Sequence, residues 1–174
     1  MIFTETKLKG AYVINLERVA DERGFFARSW CVREFAAHGL NHAVVQVNFG
    51  HSARKGTLRG MHFQVAPYAE AKVVHCSRGA LYDVIIDLRE GSPTKGQWVG
   101  MELTADNRRM FYVPEGFAHG YQTLEDNTDL VYQTSQFYAK DAARGVRYND
   151  PAFGIAWPLS VSVISTGDKG WPDY

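Results

Sequence analysis

LRGMHFQVAPYAEAK, residues Leu58 to Lys72, sets an arginine, a histidine, a glutamine and a lysine on a strand-loop-strand unit otherwise made of ordinary sheet-forming residues. Side chains on a strand alternate between its faces, so Leu58, Gly60, His62 and Gln64 are expected on one face and Arg59, Met61 and Phe63 on the other. Downstream, Pro114, Gly116 and His119 spell P-x-G-x-x-H at the mouth of a second strand.

Around these two segments the chain reads as a succession of short strands. Ala11–Val19 alternates apolar and polar residues, Asp21 to Gly24 supply turn chemistry, and Phe25–Trp30 returns. Val32–His38 is the one helix expected in the first half, with Gly39 as its left-handed terminator. Strands are then expected at Ala43–Phe49, Thr57–Gln64, Ala71–Ser77, Ala80–Leu88, Gln97–Thr104, Arg108–Val113, Phe117–Leu124 and Asp129–Phe137, each closed by polar or glycine-bearing turns. Ala139–Gly145 fits a short helix, and the closing SVSVISTGDKGWPDY carries enough apolar residues to fold back over the strands. This spacing predicts an all-β jelly roll with a few short helices, in one domain spanning residues 1–174.

Composition narrows the function classes. Nineteen basic residues balance nineteen acidic ones, so no global field favours nucleic acid or an anionic membrane, and an anionic ligand must meet local positive charge. No apolar run approaches the ~18 residues of a membrane span, and MIFTETKLKG has no apolar leader core; the expectation is a soluble, cytoplasmic protein. Cys31 and Cys76 form no metal or redox spacing, in keeping with reduced thiols.

The two histidine-bearing segments resemble the halves of a cupin barrel. The first half of that motif reads G-x5-H-x-H then E-x6-G, and its histidines and glutamate join the histidine of the second half to bind a divalent metal. Here Gly56 and His62 fit, as do Lys72 and Gly79, but Gln64 stands at the second histidine and Lys72 at the glutamate. An ammonium repels a cation and a carboxamide is a poor transition-metal ligand, so the scaffold is kept while the metal set is lost. Lys72 is then the candidate for positive charge in the pocket.

Longer phrases sharpen the resemblance. DERGFF at Asp21 to Phe26, LRGMHFQ at Leu58 to Gln64, DVIIDLREGSPTKGQWVG at Asp83 to Gly100, PEGFAHGY at Pro114 to Tyr121, Tyr132, and DPAFGIAWP at Asp150 to Pro158 make the chain similar to the RmlC family of dTDP-4-dehydrorhamnose 3,5-epimerases over its whole length. The resemblance implies a nucleotide-sugar substrate, no metal or other cofactor, and a homodimer with exchanged N-terminal strands. Epimerising a carbon beside a ketone needs a base on one face, an acid on the other and a positive group at the ketone oxygen. His62 suits the base, Tyr132 the acid and Lys72 the oxyanion partner, while the resemblance assigns Asp168 to orient His62.

Arg59 and Arg23 are candidate diphosphate clamps, because guanidinium meets phosphate oxygens bidentately. Tyr138 either stacks on the base or fills an edge of the core. The resemblance adds Phe26, Arg28, Gln46, Asn48 and His119 to the substrate-binding set. The chain departs from the family where Arg28 stands for a glutamate, Val47 for an aspartate, Ala143 for a glutamate and Gly167 for a lysine. Arg28 removes an acceptor for thymine N3–H and suits cytosine or guanine instead, so CDP- and GDP-sugars stay open. A single-site C3- or C5-epimerase, a metal-dependent cupin oxygenase and a non-catalytic carbohydrate-binding jelly roll stay open beside the double epimerase.

Overall fold

A computed structural model describes all residues 1–174. Two sheets, antiparallel except for one short parallel strand at the end of the chain, face each other. The strands are β1 (Ile2–Glu5), β2 (Tyr12–Asn15), β3 (Arg18–Asp21), β4 (Gly24–Ala27), β5 (Gln46–Ser52), β6 (Thr57–Gln64), β7 (Lys72–Arg78), β8 (Ala80–Asp87), β9 (Trp98–Thr104), β10 (Met110–Val113), β11 (Phe117–Thr123), β12 (Thr128–Thr134), β13 (Ala143–Gly145) and β14 (Val163–Ile164). Helix α1 covers Val32–Ala37 and α2 covers Thr166–Lys169. One sheet runs β1-β2-β10-β7-β12-β5, and the other runs β13-β6-β11-β8-β9 with β14 also on β6; β3 and β4 pair only with each other. This is the jelly roll expected from the strand spacing.

Between the sheets, Val74, Leu81, Ile85, Leu103, Phe111, Phe117 and Leu130 form the largest core cluster. The outer faces are covered unequally. Helix α1 and Leu40 pack on the first sheet around Phe35, Ile14, Val73 and Met110, and Val146, Phe153 and Trp157 pack on the second around Met61, Val84 and Ile86. Strand β8 is therefore covered on both faces, which explains why LYDVIID reads as a nearly continuous apolar run. Helix α1 ends at the position expected, with Gly39 at φ 69° where only glycine is free of strain.

Four expectations are corrected. The single strand at Ala11–Val19 is two, β2 and β3, because β2 stays in the first sheet while β3 leaves it to form the separate hairpin with β4. Ile2–Glu5, not expected as a strand, adds to the edge of β2, where main-chain pairing supplies what four mixed residues do not signal. The strand expected at Ala43–Phe49 starts at Gln46 and runs to Ser52, paired with β12. Ala139–Gly145 is not a helix: one 3-10 turn at Lys140–Ala142 leads into β13, whose pairing with β6 outweighs three residues of weak helical tendency.

Alternation along β6 also breaks. His119 of β11 lies opposite His62 and Tyr121 opposite Arg59, so β6 spends three residues where β11 spends two. The extra residue is a β-bulge, and it turns the side chains on either side of it toward the same face. Gly60 sits there with φ 130°, and a Cβ would lie 2.5 Å from Gly120 Cα. Arg59, expected on the face away from His62, consequently lines the same cavity.

Candidate active site

The open end between the sheets holds a cavity of about 770 Å³. His62, Lys72, Asp168, Tyr132, Arg59, His119 and Tyr138 of the sequence-based set all line it. His62 comes from the second sheet, through β6, and Tyr132 and Lys72 from the first, through β12 and β7. The two sheets thus bring a base and a phenol into one cavity from opposing walls.

His62 Nε2–H donates to Asp168 Oδ1 at 2.6 Å, leaving Nδ1 as the nitrogen that can take up a proton. Asp168 is held from three directions. Ser165 caps α2 by accepting from the Asp168 N–H at 3.0 Å, and the Gly60 N–H donates to Asp168 Oδ2 at 3.3 Å. Burial pushes the Asp168 carboxyl up, but the hydrogen bond and charge of His62 outweigh it and hold the group below its ordinary range. The indole of Trp171 meets the His62 ring edge-on, with centroids 6.4 Å apart.

Lys72 Nζ forms an ion pair with Glu70 Oε1 at 3.0 Å, and both side chains are nearly buried. Tyr132 is half-buried; that burial, with the nearby Glu70 charge, raises its phenol above the ordinary value, while Arg59 opposes the rise. Arg59 is fixed by Ser52 Oγ at 3.2 Å and the His51 carbonyl at 2.9 Å. His119 Nε2 is shared between both oxygens of buried Asp83, at 3.1 and 2.9 Å, so it enters the cavity as a tethered wall residue.

At the former metal-ligand position, Gln64 bonds only to backbone: its Nε2 donates to the Tyr68 and Phe137 carbonyls, and its Oε1 accepts from the Ala139 N–H at 2.6 Å. It pins the segment that carries Tyr138, whose own N–H donates to Gln46 Oε1 at 3.0 Å. No three His, Cys, Asp or Glu side chains are grouped to hold a metal ion.

Five sequence-based residues lie outside the cavity of the single chain: Arg23, Phe26, Arg28, Gln46 and Asn48. Arg23 is exposed and paired with Asp21, and Arg28 is paired with Glu34 at 3.1 Å. The β3–β4 hairpin stands apart from both sheets, and Phe26 on it is 75% exposed. Sequence reasoning missed Glu70, Tyr121, Arg144 and Trp171, all of which line the cavity. Glu70 had a signal, since its i, i+2 relation to Lys72 puts both on one face of an extended chain. Trp171 had none, because nothing local marks a tail residue for contact with His62.

Comparison with known proteins agrees with this geometry. The family model of dTDP-4-dehydrorhamnose 3,5-epimerase matches residues 5–174. A dTDP-4-dehydrorhamnose 3,5-epimerase of Shigella flexneri is 41% identical over 165 residues, covering 94% of this chain and 91% of the relative. The crystal structure of the enzyme of that name from Elizabethkingia anophelis superposes with a TM-score of 0.97 at 38% identity, covering 100% of this chain and 96% of that one. One from Bacillus anthracis, with TDP and PPi bound, gives 0.95 at 40% identity, covering 99% of each chain. Likeness of this extent, in fold as well as in sequence, places the chain in the dTDP-4-dehydrorhamnose 3,5-epimerase family.

Proposed function

We propose that the chain converts dTDP-4-dehydro-6-deoxyglucose to dTDP-4-dehydrorhamnose by inverting C3 and C5, and that His62, Tyr132, Lys72 and Asp168 carry the reaction. His62 Nδ1 takes the proton from the carbon beside the C4 ketone. The electron pair moves onto the ketone oxygen, where the Lys72 ammonium meets the developing negative charge. Tyr132 then returns a proton to the opposite face and the carbonyl re-forms. Asp168 keeps His62 in the tautomer whose Nδ1 is free to accept. The observation that carries this reading is the placement of the His62–Asp168 pair and Tyr132 on opposing sheets around one cavity.

Arg59 faces the diphosphate and Tyr138 the base, both being cavity residues. The thymidine diphosphate bound by the Bacillus anthracis relative supports a dTDP-sugar over the CDP and GDP alternatives. In a homodimer the exposed β3–β4 hairpin brings Arg23, Phe26 and Arg28 to the partner's cavity. The test is conversion followed by NMR at C3 and C5. His62→Ala is expected to abolish it and Tyr132→Phe to block inversion, whereas full turnover by both variants overturns the assignment.

A further inference from the structure

One carboxylate of the cavity has no part in the reaction just described. Glu70 precedes β7, lines the cavity, and is only 12% exposed at its side chain. Its Oε1 forms an ion pair with Lys72 Nζ at 3.0 Å, and the Lys72 side chain is 9% exposed. Two charges this far out of water are not a surface pair of negligible worth: removing one partner leaves the other desolvated and free to move. Lys72 has a long flexible stem, so an acceptor that fixes its Nζ decides where the ammonium stands.

Glu70 also acts on the phenol. Burial is the main reason that the Tyr132 phenol is raised, and the Glu70 charge is the next. The other charged or titratable groups around the cavity are Arg59 and His62 from β6, His119 and Tyr121 from β11, Tyr138 after β12, Arg144 from β13 and Asp168 from α2. Arg59 is the one that opposes Glu70 at Tyr132. The anion therefore favours the phenol that still carries its proton, the form that an acid must have.

We propose that Glu70 is a positioning residue of this site: it holds Lys72 Nζ at the cavity wall by an ion pair, and it sets a negative charge in the cavity that Tyr132 also lines. The proposal rests on the roles given above to Lys72 and Tyr132. It separates two properties of one side chain, since a carboxamide keeps an oxygen near Lys72 but loses the charge, and a methyl group loses both.

The experiment compares the pH dependence of kcat for wild type, Glu70→Gln, Glu70→Ala and Lys72→Ala on the dTDP-4-dehydro-6-deoxy sugar. Glu70→Gln, which removes the charge but keeps the shape, is expected to lower the plateau kcat about threefold with KM little changed, while its basic limb moves to lower pH. The sign follows from the phenol: without the nearby anion it ionises at lower pH, and the acid is lost sooner as pH rises. Glu70→Ala is expected to show the same displaced limb and, because Lys72 is no longer held, a plateau kcat about tenfold lower with KM little changed. A basic limb of Glu70→Gln that coincides with wild type overturns the inference, as does a plateau of Glu70→Ala equal to that of Glu70→Gln. Lys72→Ala keeps the two levels apart. If it turns over like wild type, the reading of Lys72 fails; if it is impaired while Glu70 variants behave as wild type, only the inference about Glu70 fails.

Discussion

Among single residues, the coupling of His62 to Asp168 makes the most specific demand. The 2.6 Å bond from Nε2–H requires a carboxylate acceptor, and a carboxamide in its place can present an N–H and reverse the tautomer. Asp168→Asn is therefore expected to lower kcat by about 10² to 10⁴-fold with the fold intact, read by steady-state kinetics and circular dichroism. The same pair has a pH signature in stability. Asp168 sits below its ordinary value of 3.8, so its contribution is present above that pH and is lost as pH falls through the lower folded value. Acid titration of Asp168→Asn should accordingly show a shallower fall in stability below 3.8 than wild type. His62 and Lys72 were legible because a known motif fixes their spacing, and Lys72 stands out as a lysine where a metal ligand is expected. Asp168 was legible only by resemblance: it lies 106 residues from His62, and no local pattern joins a tail helix to a barrel strand. Glu70 was less legible, because its only signal is the i, i+2 relation that puts it on the Lys72 face of an extended chain.

At the level of the element, β6 shows where pattern reading fails. Its eight residues were placed correctly, yet period-two alternation put Arg59 on the wrong face, since a bulge inserts one residue against β11 and alternation cannot see its partner strand. The same alternation assigns the bulge glycine, Gly60, to the His62 face, and a residue without a side chain gives no sign of the shift. Gly60→Ala would force a side chain into φ 130° and against the Gly120 backbone. It is expected to cost about 3 kcal/mol in chemical denaturation. Because the Gly60 N–H also bonds Asp168, the same change should lower kcat in whatever fraction remains folded. Unchanged stability and activity would show that the bulge does not set the site. Strand β1 and the three-residue β13 were illegible for a different reason: such short segments gain their order from a neighbouring edge, not from their own residues.

For the whole molecule, strand spacing and turn chemistry were enough to give a jelly roll, whereas the exposed apolar residues find no explanation within one chain. Val47 and Phe49 on β5, at 61% and 66% exposure, and Phe26 on the hairpin are large apolar side chains left in water, although Phe49 also lines the cavity. In the proposed homodimer these residues are expected to be covered, and Arg23, Phe26 and Arg28 to reach the partner's cavity. Light scattering is expected to give twice the 19.6 kDa of the chain, and Phe49→Glu to shift the mass toward the monomer; a monomer for the unaltered protein contradicts the dimer. The central claim is that His62 removes a proton beside the C4 ketone and Tyr132 returns one from the other face. Its most direct measurement is turnover of dTDP-4-dehydro-6-deoxyglucose in heavy water, followed by NMR at C3 and C5. Deuterium at both carbons, absent with His62→Ala, is the predicted result. Label at one carbon would reduce the activity to a single epimerisation, and no label at either above the enzyme-free rate would contradict the catalytic account.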